Sequence, residues 1–408
     1  MTCGFPRLRA ELRLGEDDMT NTLPTIPREE YPARLERLRV LMSKEGMGGV
    51  LLGTGPNLAY FSGYPSPARS VPRPFFLVLP MRGEPILFTH LGHLEEARRF
   101  CVYNDIREYT RLSRIPTEQI LDGVAERGLL GKRIGMELGY EQSLDVSYLE
   151  FRRFQEALGS TELTDASDIL WRLRMVKSSA EIACLRAACR ILSDAYLSTF
   201  SSVRQGMSER EIASLMLTSF DRHGTGGERY IAITSGKGNY GLFTKPPDST
   251  PIKRGDLIWI DAGFTISGYW SDFSRAAVVG EPTPEQASAQ ETIHRITWDA
   301  TARVRPGVTA SSLARFCDEE LAKLKLAITS QATERAGRCG HGVGLSMTEP
   351  PHIAEYDHTV LEPGMAITLE PSVATPYGTF NVEENVVLTK DGCEVLSDSP
   401  RTLWRIEA

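Results

Sequence analysis

The stretch LIWIDAGFTISGYWSDFSRA, residues 257–276, contains two apolar segments that each carry an aspartate. Asp261 and Asp272 lie eleven residues apart, and the turn around Thr265–Gly268 separates the two segments. A β-hairpin of this length predicts that both carboxylates point to one face of the sheet. Since a buried carboxylate is costly unless it pairs with a cation, the stretch predicts either ion pairs or a metal site.

Two more carboxylates interrupt apolar stretches closer to the C-terminus. Glu370 interrupts AITLEPSV, and Glu383 interrupts FNVEENVVL. One interpretation is structural: each acid caps a turn or pairs with Arg275 or Arg254. The other interpretation is that the acids of these strands converge on a bound cation.

A histidine between two glycines occurs in GHGVGLSMTEPPHI, residues 340–353. On its own this stretch favours a histidine in a tight turn over a metal ligand. Taken with the four acids, however, His341 completes a set of mostly hard oxygen donors with one imidazole. That mixture suits two divalent ions bridged by carboxylates, such as Mn, Co, Fe or Zn.

Composition excludes several classes of protein. The 408 residues carry a formal net charge of −7, which offers no basic face for nucleic acid or anionic membrane. No apolar run approaches the roughly 20 residues of a membrane span, and the N-terminus lacks an apolar signal-peptide core. Seven scattered cysteines with no C-x-x-C spacing are typical of free thiols in a reducing compartment. We expect a cytoplasmic protein.

The first half of the chain alternates short apolar runs with helical patterns. Residues 1–25 are polar and aperiodic, which predicts a flexible tail, and residues 30–46 predict a helix. The runs GVLLG, PFFLVLP, PILFT and RIGMEL then alternate with the helical stretches HLEEARRF and TEQILDGVAER. This order predicts an α/β domain with a largely covered sheet at 26–165.

The second half begins with long helices and continues with acidic strands. Ser178 precedes Glu181 by three residues, which predicts a capping box and a long amphipathic helix. A second helix is expected to start at Ser208, and helical segments separate the later strands. We expect an α+β domain at 170–408.

The order IDAG, SDFSR, GHGVGL, LEPGM, ITLEP and VEENVVLT resembles the pita-bread metallohydrolases, the superfamily of creatinase, Xaa-Pro peptidase and methionyl aminopeptidase. NLAYFSGY, residues 57–64, is similar to an N-terminal domain motif of the prolidase and creatinase branch. The resemblance implies a homodimer and two divalent ions. It implies that Glu370 also deprotonates the attacking water. The ligands that it implies are Asp261, Asp272, His341, Glu370 and Glu383.

The chain departs from the resembled peptidases around the metals. They carry histidines where this chain has Thr348 and Gly337, an arginine in place of Asn381, and a further histidine near Phe243. Threonine can donate a hydrogen bond but is a poor general acid. His352, four residues after Thr348, is a candidate replacement, although a histidine after two prolines is also typical of an exposed loop.

The expected activity is metal-dependent hydrolysis of a C–N bond in a small peptide, as in Xaa-Pro dipeptidases and aminopeptidases. One alternative is a non-peptide C–N hydrolase that acts on a small molecule, as ectoine hydrolase and creatinase do. Another is an inactive binding protein, which retention of all five ligands disfavours. Four aromatic residues near the site motifs predict either an apolar substrate pocket or ordinary core: Tyr230, Tyr240, Phe243 and Trp270.

Overall fold

The computed structural model describes residues 23–53, 55–65, 74–112, 114–223, 227–331, 334 and 336–408. An N-terminal α/β domain and a C-terminal α+β domain make up this part of the chain, as predicted. Most of the predicted tail, residues 1–22, lies outside the described residues. Leu23, the first described residue, packs against the core of the C-terminal domain.

The N-terminal domain is built on a mixed sheet. Its described strands are β1 (Gly49–Leu52), β2 (Phe76–Pro80), β3 (Ile86–His90), β4 (Asp105–Tyr109), β5 (Arg133–Met136) and β6 (Glu162–Asp165). They lie in the order β4-β3-β2-β1-β5-β6, in which β2 is antiparallel to both of its neighbours and the other pairs are parallel. Its described helices are α1 (Glu30–Lys44), α2 (Pro56–Ser62), α3 (Leu94–Phe100), α4 (Thr117–Glu126), α5 (Tyr148–Ala157) and α6 (Ser167–Met175). A 3-10 turn spans Leu91–His93.

Helices cover both faces of this sheet, because successive strand residues point to opposite sides. Leu77 and Leu79 of β2 belong to the apolar cluster that includes α1. Phe76 and Val78 belong to the cluster on the other face, with residues of α4 and α5. The continuous apolar runs of the sequence are therefore those of a sheet buried on both sides.

The described residues of the C-terminal domain form three sheets packed with long helices. Its described helices are α7 (Ser179–Ser202), α8 (Glu209–Arg222), α9 (Pro284–Thr301) and α10 (Ala310–Ala322). The first sheet holds β7 (Arg229–Ser235), β8 (Leu257–Ile266), β9 (Tyr269–Trp270) and β10 (Phe273–Val279), with the last strand, β19 (Trp404–Ile406), at its edge. The second holds β11 (Ser330–Gln331), β15 (Ser372–Thr375) and β16 (Gly378–Asn381). The third holds β12 (His341–Gly342), β13 (Glu349–His352), β14 (Ala366–Leu369), β17 (Glu384–Leu388) and β18 (Cys393–Val395).

Helix α7 ties the acidic strands to the rest of the domain. Its N-terminus has the predicted capping box, in which Ser178 and Glu181 satisfy each other's backbone amides. Its buried Tyr196 hydroxyl lies 3.0 Å from the Ile260 carbonyl oxygen on β8 and 2.7 Å from the Phe273 carbonyl oxygen on β10. The two strands that flank the predicted metal ligands are thus held together from behind.

A buried ion pair joins the two domains. Glu349 at the start of β13 accepts hydrogen bonds from Arg174 Nη2 at 2.6 Å and from Lys177 Nζ at 2.8 Å. Arg174 Nη1 also donates to Asn57 Oδ1 of α2 at 2.9 Å. Burial alone would raise the pKa of Glu349, but the two adjacent cations outweigh it and lower that pKa. We name Arg174, Lys177 and Glu349 the junction triad.

Candidate metal centre

Asp261 and Asp272 are brought together by the predicted hairpin. Asp261 lies in the middle of β8, and Asp272 lies just before β10, which pairs with β8 in antiparallel register. The Asn385 side chain on β17 accepts a hydrogen bond from the Asp272 backbone amide at 2.9 Å and donates to the Asp272 carbonyl oxygen. The backbone of Asp272 is therefore fixed by a strand of another sheet.

The two glycines beside His341 are needed because other backbone segments approach closely. A Cβ atom at Gly340 would lie 2.2 Å from the Thr368 carbonyl oxygen, and one at Gly342 would lie 2.3 Å from the Pro350 carbonyl oxygen. His341 Nδ1 lies 3.0 Å from the Gly342 carbonyl oxygen, an acceptor to which a protonated Nδ1 would donate. That hydrogen bond leaves the lone pair on Nε2 free for a cation.

Glu370 and Glu383 lie where strands end rather than inside them. Strand β14 ends at Leu369, directly before Glu370 and Pro371, and Glu383 lies between β16 and β17. The guanidinium of Arg275 donates to the Glu383 carbonyl oxygen at 2.7 Å, which fixes the backbone there. At a strand end the carboxylate can reach into a cavity without displacing a cross-strand neighbour.

The five predicted ligands converge. Asp272, His341 and Glu383 each present a donor atom within 4.8 Å of the other two. His341 Nε2 lies 3.6 Å from Asp272 Oδ2 and 3.6 Å from Glu370 Oε1. Asp261 lines the same cavity as these four residues.

The pKa values in this cluster are shifted by burial and by mutual repulsion. Burial, with the neighbouring Glu370 charge, raises the pKa of Asp261 to about 8, and burial raises the pKa of Glu370 to about 7. Burial and the other carboxylates raise the pKa values of Asp272 and Glu383 as well. Burial lowers the pKa of His341 to about 3. So many crowded acids need added positive charge to ionise together.

The donor set fits divalent cations. Within the described part of the chain, the buried Asp261 Oδ1 has no hydrogen-bond partner, and no lysine or arginine lies within 4 Å of the cluster's carboxylates. Arg275, a partner considered from the sequence, instead contacts the Glu384 carboxylate at 3.0 Å. Four carboxylates and one neutral imidazole are ligands that Mn, Co, Fe and Zn accept.

The cluster opens into a cavity of about 630 Å³, a size typical of small-molecule sites. We name it the metal cavity. Of the aromatic residues predicted to form a substrate pocket, Tyr230 and Phe243 line it. Tyr240 and Trp270 do not: the Tyr240 hydroxyl accepts from the Leu257 backbone amide, and Trp270 belongs to the core under α7. A second hollow, of about 460 Å³, contains none of the five ligands.

Some of the residues that differ from the resembled peptidases line the metal cavity, and others do not. Thr348 and Asn381 line the metal cavity, whereas Gly337 borders the second hollow. His352 is fully buried and not exposed, because β13 carries it between Tyr140 and Tyr356. It does not line the cavity, and instead its Nδ1 lies 2.9 Å from Arg338 Nη1.

Sequence reasoning missed two charged residues near the site. Arg338 lines the cavity three residues before His341, where a lone charge in the glycine-rich segment GRCGHG was an available signal. Glu141 Oε1, from the N-terminal domain, lies 2.8 Å from His352 Nε2. No local pattern marks Glu141, since its proximity to His352 comes from the way the two domains pack.

An α/β domain followed by an α+β domain that gathers four acids and one histidine from its strands and strand ends defines a metallohydrolase of the pita-bread fold. Residues 183–390 match metallopeptidase family M24, and residues 34–176 match the creatinase/prolidase N-terminal domain. The chain belongs to this family of metal-dependent peptidases.

Sequence and structural similarity to known proteins covers nearly the whole chain. An Xaa-Pro dipeptidase of Pyrococcus horikoshii is 27% identical over 380 residues, which cover 91% of this chain and 98% of that protein. An Xaa-Pro dipeptidase of Pyrococcus furiosus is 32% identical over 270 residues, 65% of this chain and 75% of that protein. The solved structure of an Xaa-Pro dipeptidase from Bacillus anthracis shares the fold, with a TM-score of 0.80 at 23% identity over 92% of this chain and all of that chain.

In the part of the chain that the structure describes, no helix combines the length and apolar character needed to cross a bilayer.

Proposed function

We propose that this chain hydrolyses the C–N bond before a proline in a small peptide, with two divalent ions bound by the five ligands. The observation that supports the proposal is the buried cluster itself, in which four carboxylates crowd around one neutral histidine and, among the described residues, no lysine or arginine lies within 4 Å of those carboxylates. The names of the similar dipeptidases support the substrate class.

Each residue of the cavity would have a separate task. Divalent ions held there would polarise the scissile carbonyl and lower the pKa of a water molecule toward neutrality. Glu370 would accept a proton from the attacking water and deliver it to the departing nitrogen. Thr348 and Tyr230 would donate hydrogen bonds to the substrate; burial and the nearby carboxylates raise the pKa of Tyr230, so its hydroxyl stays protonated. His352 would act through Arg338 rather than on the substrate.

A second candidate function is hydrolysis of a C–N bond in a small non-peptide metabolite. Thr348 and Asn381 support it, because both line the cavity at positions where the resembled peptidases carry a histidine and an arginine. A pocket without those groups would stabilise a different transition state. The inactive binding protein is the weakest alternative, since the cluster keeps all five donors.

A substrate panel tests these functions. The protein is purified without chelator, its metal content is measured, and kcat/KM is determined with Mn²⁺ or Co²⁺. The compounds are glycyl-proline and alanyl-proline, glycyl-alanine as the matched peptide without proline, and ectoine- and creatine-like compounds. We expect the proline peptides to be cleaved and glycyl-alanine to be a poor substrate.

The other outcomes separate the alternatives. Turnover of the small metabolites alone would replace the peptidase proposal by the second candidate. Bound metal without turnover of any compound would contradict both, and absence of divalent metal from the five-ligand site would favour a binding protein.

We also propose a cytoplasmic homodimer. The six cysteines in the described residues are all free, which supports a reducing compartment. The dimer rests on the resemblance to the creatinase and prolidase branch. Analytical ultracentrifugation tests it, and a sedimenting species of 45 kDa, the mass of one chain, would contradict it.

A further inference from the structure

The guanidinium of Arg338 reaches into the metal cavity without a carboxylate partner. Its Nη1 lies 2.9 Å from His352 Nδ1, and its Nη2 lies 3.4 Å from Thr348 Oγ1. Both partners are neutral acceptors. Among the described residues, no aspartate or glutamate oxygen lies within 4 Å of it, and its buried Nε has no hydrogen-bond partner. A guanidinium has five N–H donors, so most of them remain available to a ligand.

Residues of both domains lie around the guanidinium. His352 accepts from Arg338 through Nδ1, and its Nε2 faces Glu141 Oε1 at 2.8 Å. The Glu141 backbone is left-handed, with φ 53°, a conformation that a non-glycine residue rarely adopts. We name Glu141, His352 and Arg338 the arginine relay. The arginine relay orients the guanidinium toward the cavity, so the group is not free to move in solvent.

The residues that line the cavity carry charges of both signs. The described residues that line it include four carboxylates of the metal cluster and two cations, Arg338 and Lys245. The Lys245 ammonium is already bound to Glu209 and, at 2.9 Å, to Asp248. Two divalent ions would balance the four carboxylates. The positive charge of Arg338 would then remain without a counterion.

Unpartnered polar atoms nearby also favour a polar ligand. Ser372 Oγ and Asn381 Oδ1 are buried, line the cavity and have no hydrogen-bond partner among the described residues. Arg338 also borders the second hollow, but its contact with Thr348, which lines only the metal cavity, places the guanidinium on the metal side.

We propose that Arg338 binds a carboxylate of the substrate and that the arginine relay makes the enzyme select substrates with a free carboxylate near the scissile bond. This inference rests on the proposed hydrolase function. Arg338 lies outside the position, Asn381, at which the resembled peptidases carry an arginine. A dipeptide satisfies the requirement through its C-terminal carboxylate, which a longer peptide would carry too far from the metals.

The test compares each accepted substrate with its carboxamide, for example glycyl-proline with glycyl-prolinamide. In the wild type we expect the acid to be preferred. Arg338→Gln should lower kcat/KM for the acid about 10- to 100-fold, mainly through KM, because a charge-assisted hydrogen bond is lost. The value for the amide should change little. Arg338→Lys keeps the charge without the fork and should lie between the two.

A matched control uses the other cation of the cavity. Lys245→Gln removes a positive charge that Glu209 and Asp248 already neutralise, so the acid-to-amide ratio should stay at its wild-type value. An equal loss on acid and amide in Arg338→Gln would overturn the proposal, because it would mean that Arg338 acts on the reaction or on the fold rather than on the carboxylate.

The positioning role of His352 has its own readout. His352→Asn keeps an acceptor near the place of Nδ1, and His352→Ala removes it. We expect the acid-to-amide ratio to fall in the alanine variant and to be largely restored in the asparagine variant. If both variants fold, as judged by circular dichroism, and keep the wild-type acid-to-amide ratio, then His352 does not position Arg338.

A binding measurement separates this inference from the proposed function. If no compound is turned over, the proposed function fails, and calorimetry of the metal-loaded protein with L-proline and L-prolinamide decides the role of Arg338. Tighter binding of L-proline in the wild type but not in Arg338→Gln supports the proposal. Absence of any preference for the carboxylate in the wild type overturns it.

Discussion

The metal cavity and the junction triad both bury carboxylates, but only the junction triad supplies cations that contact them. Glu349 is 1% exposed and contacts two cations, and the pKa of its carboxyl is lowered. The carboxylates of the cavity have raised pKa values and, within the described part of the chain, no lysine or arginine partner within 4 Å. The first arrangement holds domains together, and the second is incomplete without an external cation.

The presence or absence of a cationic partner distinguishes a structural carboxylate from a metal-binding one more clearly than burial does. A buried carboxylate that keeps its charge needs compensation from nearby cations or hydrogen-bond donors. Glu383 and Glu384 are adjacent in sequence and equally buried, yet Arg275 and Arg401 contact the Glu384 carboxylate while Glu383 lines the cavity. The partner of a carboxylate, rather than its depth, indicates its role.

Removal of a cavity ligand should have the largest effect. Asp272→Ala deletes one of the three donors that lie within 4.8 Å of one another. We expect loss of the divalent metal, measured by elemental analysis, and loss of turnover to background. The protein should still fold, because removing one of several repelling acids relieves an unfavourable interaction.

The control for this variant is Asp391→Ala, an exposed aspartate between β17 and β18. It should keep both metal and activity. Wild-type turnover in Asp272→Ala would contradict the assignment of this residue as a ligand.

Breaking the junction triad should destabilise the protein without emptying the metal site. Arg174→Met leaves Glu349 with one cation and Asn57 without its donor. Removal of one partner from a buried ion pair typically costs about 3–5 kcal/mol; since Lys177 remains, we expect about 3 kcal/mol, seen as a lower urea midpoint. Arg152→Met, which breaks the exposed pair with Glu156, is the matched control and should leave the midpoint almost unchanged. Similar midpoints for the two variants would contradict a stabilising role of the triad.

Much of this fold and of the cluster could be predicted because the signals are local. The capping box at Ser178 and Glu181 fixed the start of α7, and two aspartates in one hairpin had to share a neighbourhood. The ligand roles came from the order of the motifs and still await the metal measurements above. Aromatic residues were less predictable, because Trp270 and Tyr240 are near the ligands in sequence but pack into the core instead.

The rest depends on how distant segments pack. His352 was expected to be exposed or to act on the substrate, but its pairing with His341 in β13 and β12 turns it toward Arg338 instead of the cavity. Glu141 reaches it from another domain, more than 200 residues away in the sequence. Only tertiary structure brings the arginine relay together.

The pH dependence of stability should also distinguish the cavity carboxylates from Glu349 of the junction triad. We expect this effect to be smaller than those of the two substitutions above. Burial raises the pKa of Asp261 to about 8 and of Glu370 to about 7, so the folded, metal-free protein holds protons that the unfolded chain has released. Its stability therefore falls as the pH rises, by at most about 1.4 kcal/mol per pH unit for each retained proton. His341, with its pKa lowered to about 3, has the opposite effect, but that effect is complete above about pH 6.5.

Thermal unfolding between pH 6.5 and 8 is the appropriate measurement, with and without Mn²⁺. The midpoint of the metal-free protein should fall across this range, whereas bound metal, which needs deprotonated ligands, should remove the decline. Glu137 in the N-terminal domain, with a pKa raised by burial to about 7, adds a decline that metal cannot remove, so Glu137→Gln provides the background in which the cavity is seen alone. A metal-free midpoint that stays constant in that variant would mean that the cavity acids are already ionised and have a counterion from the protein, which would remove the distinction between the cavity and the junction triad.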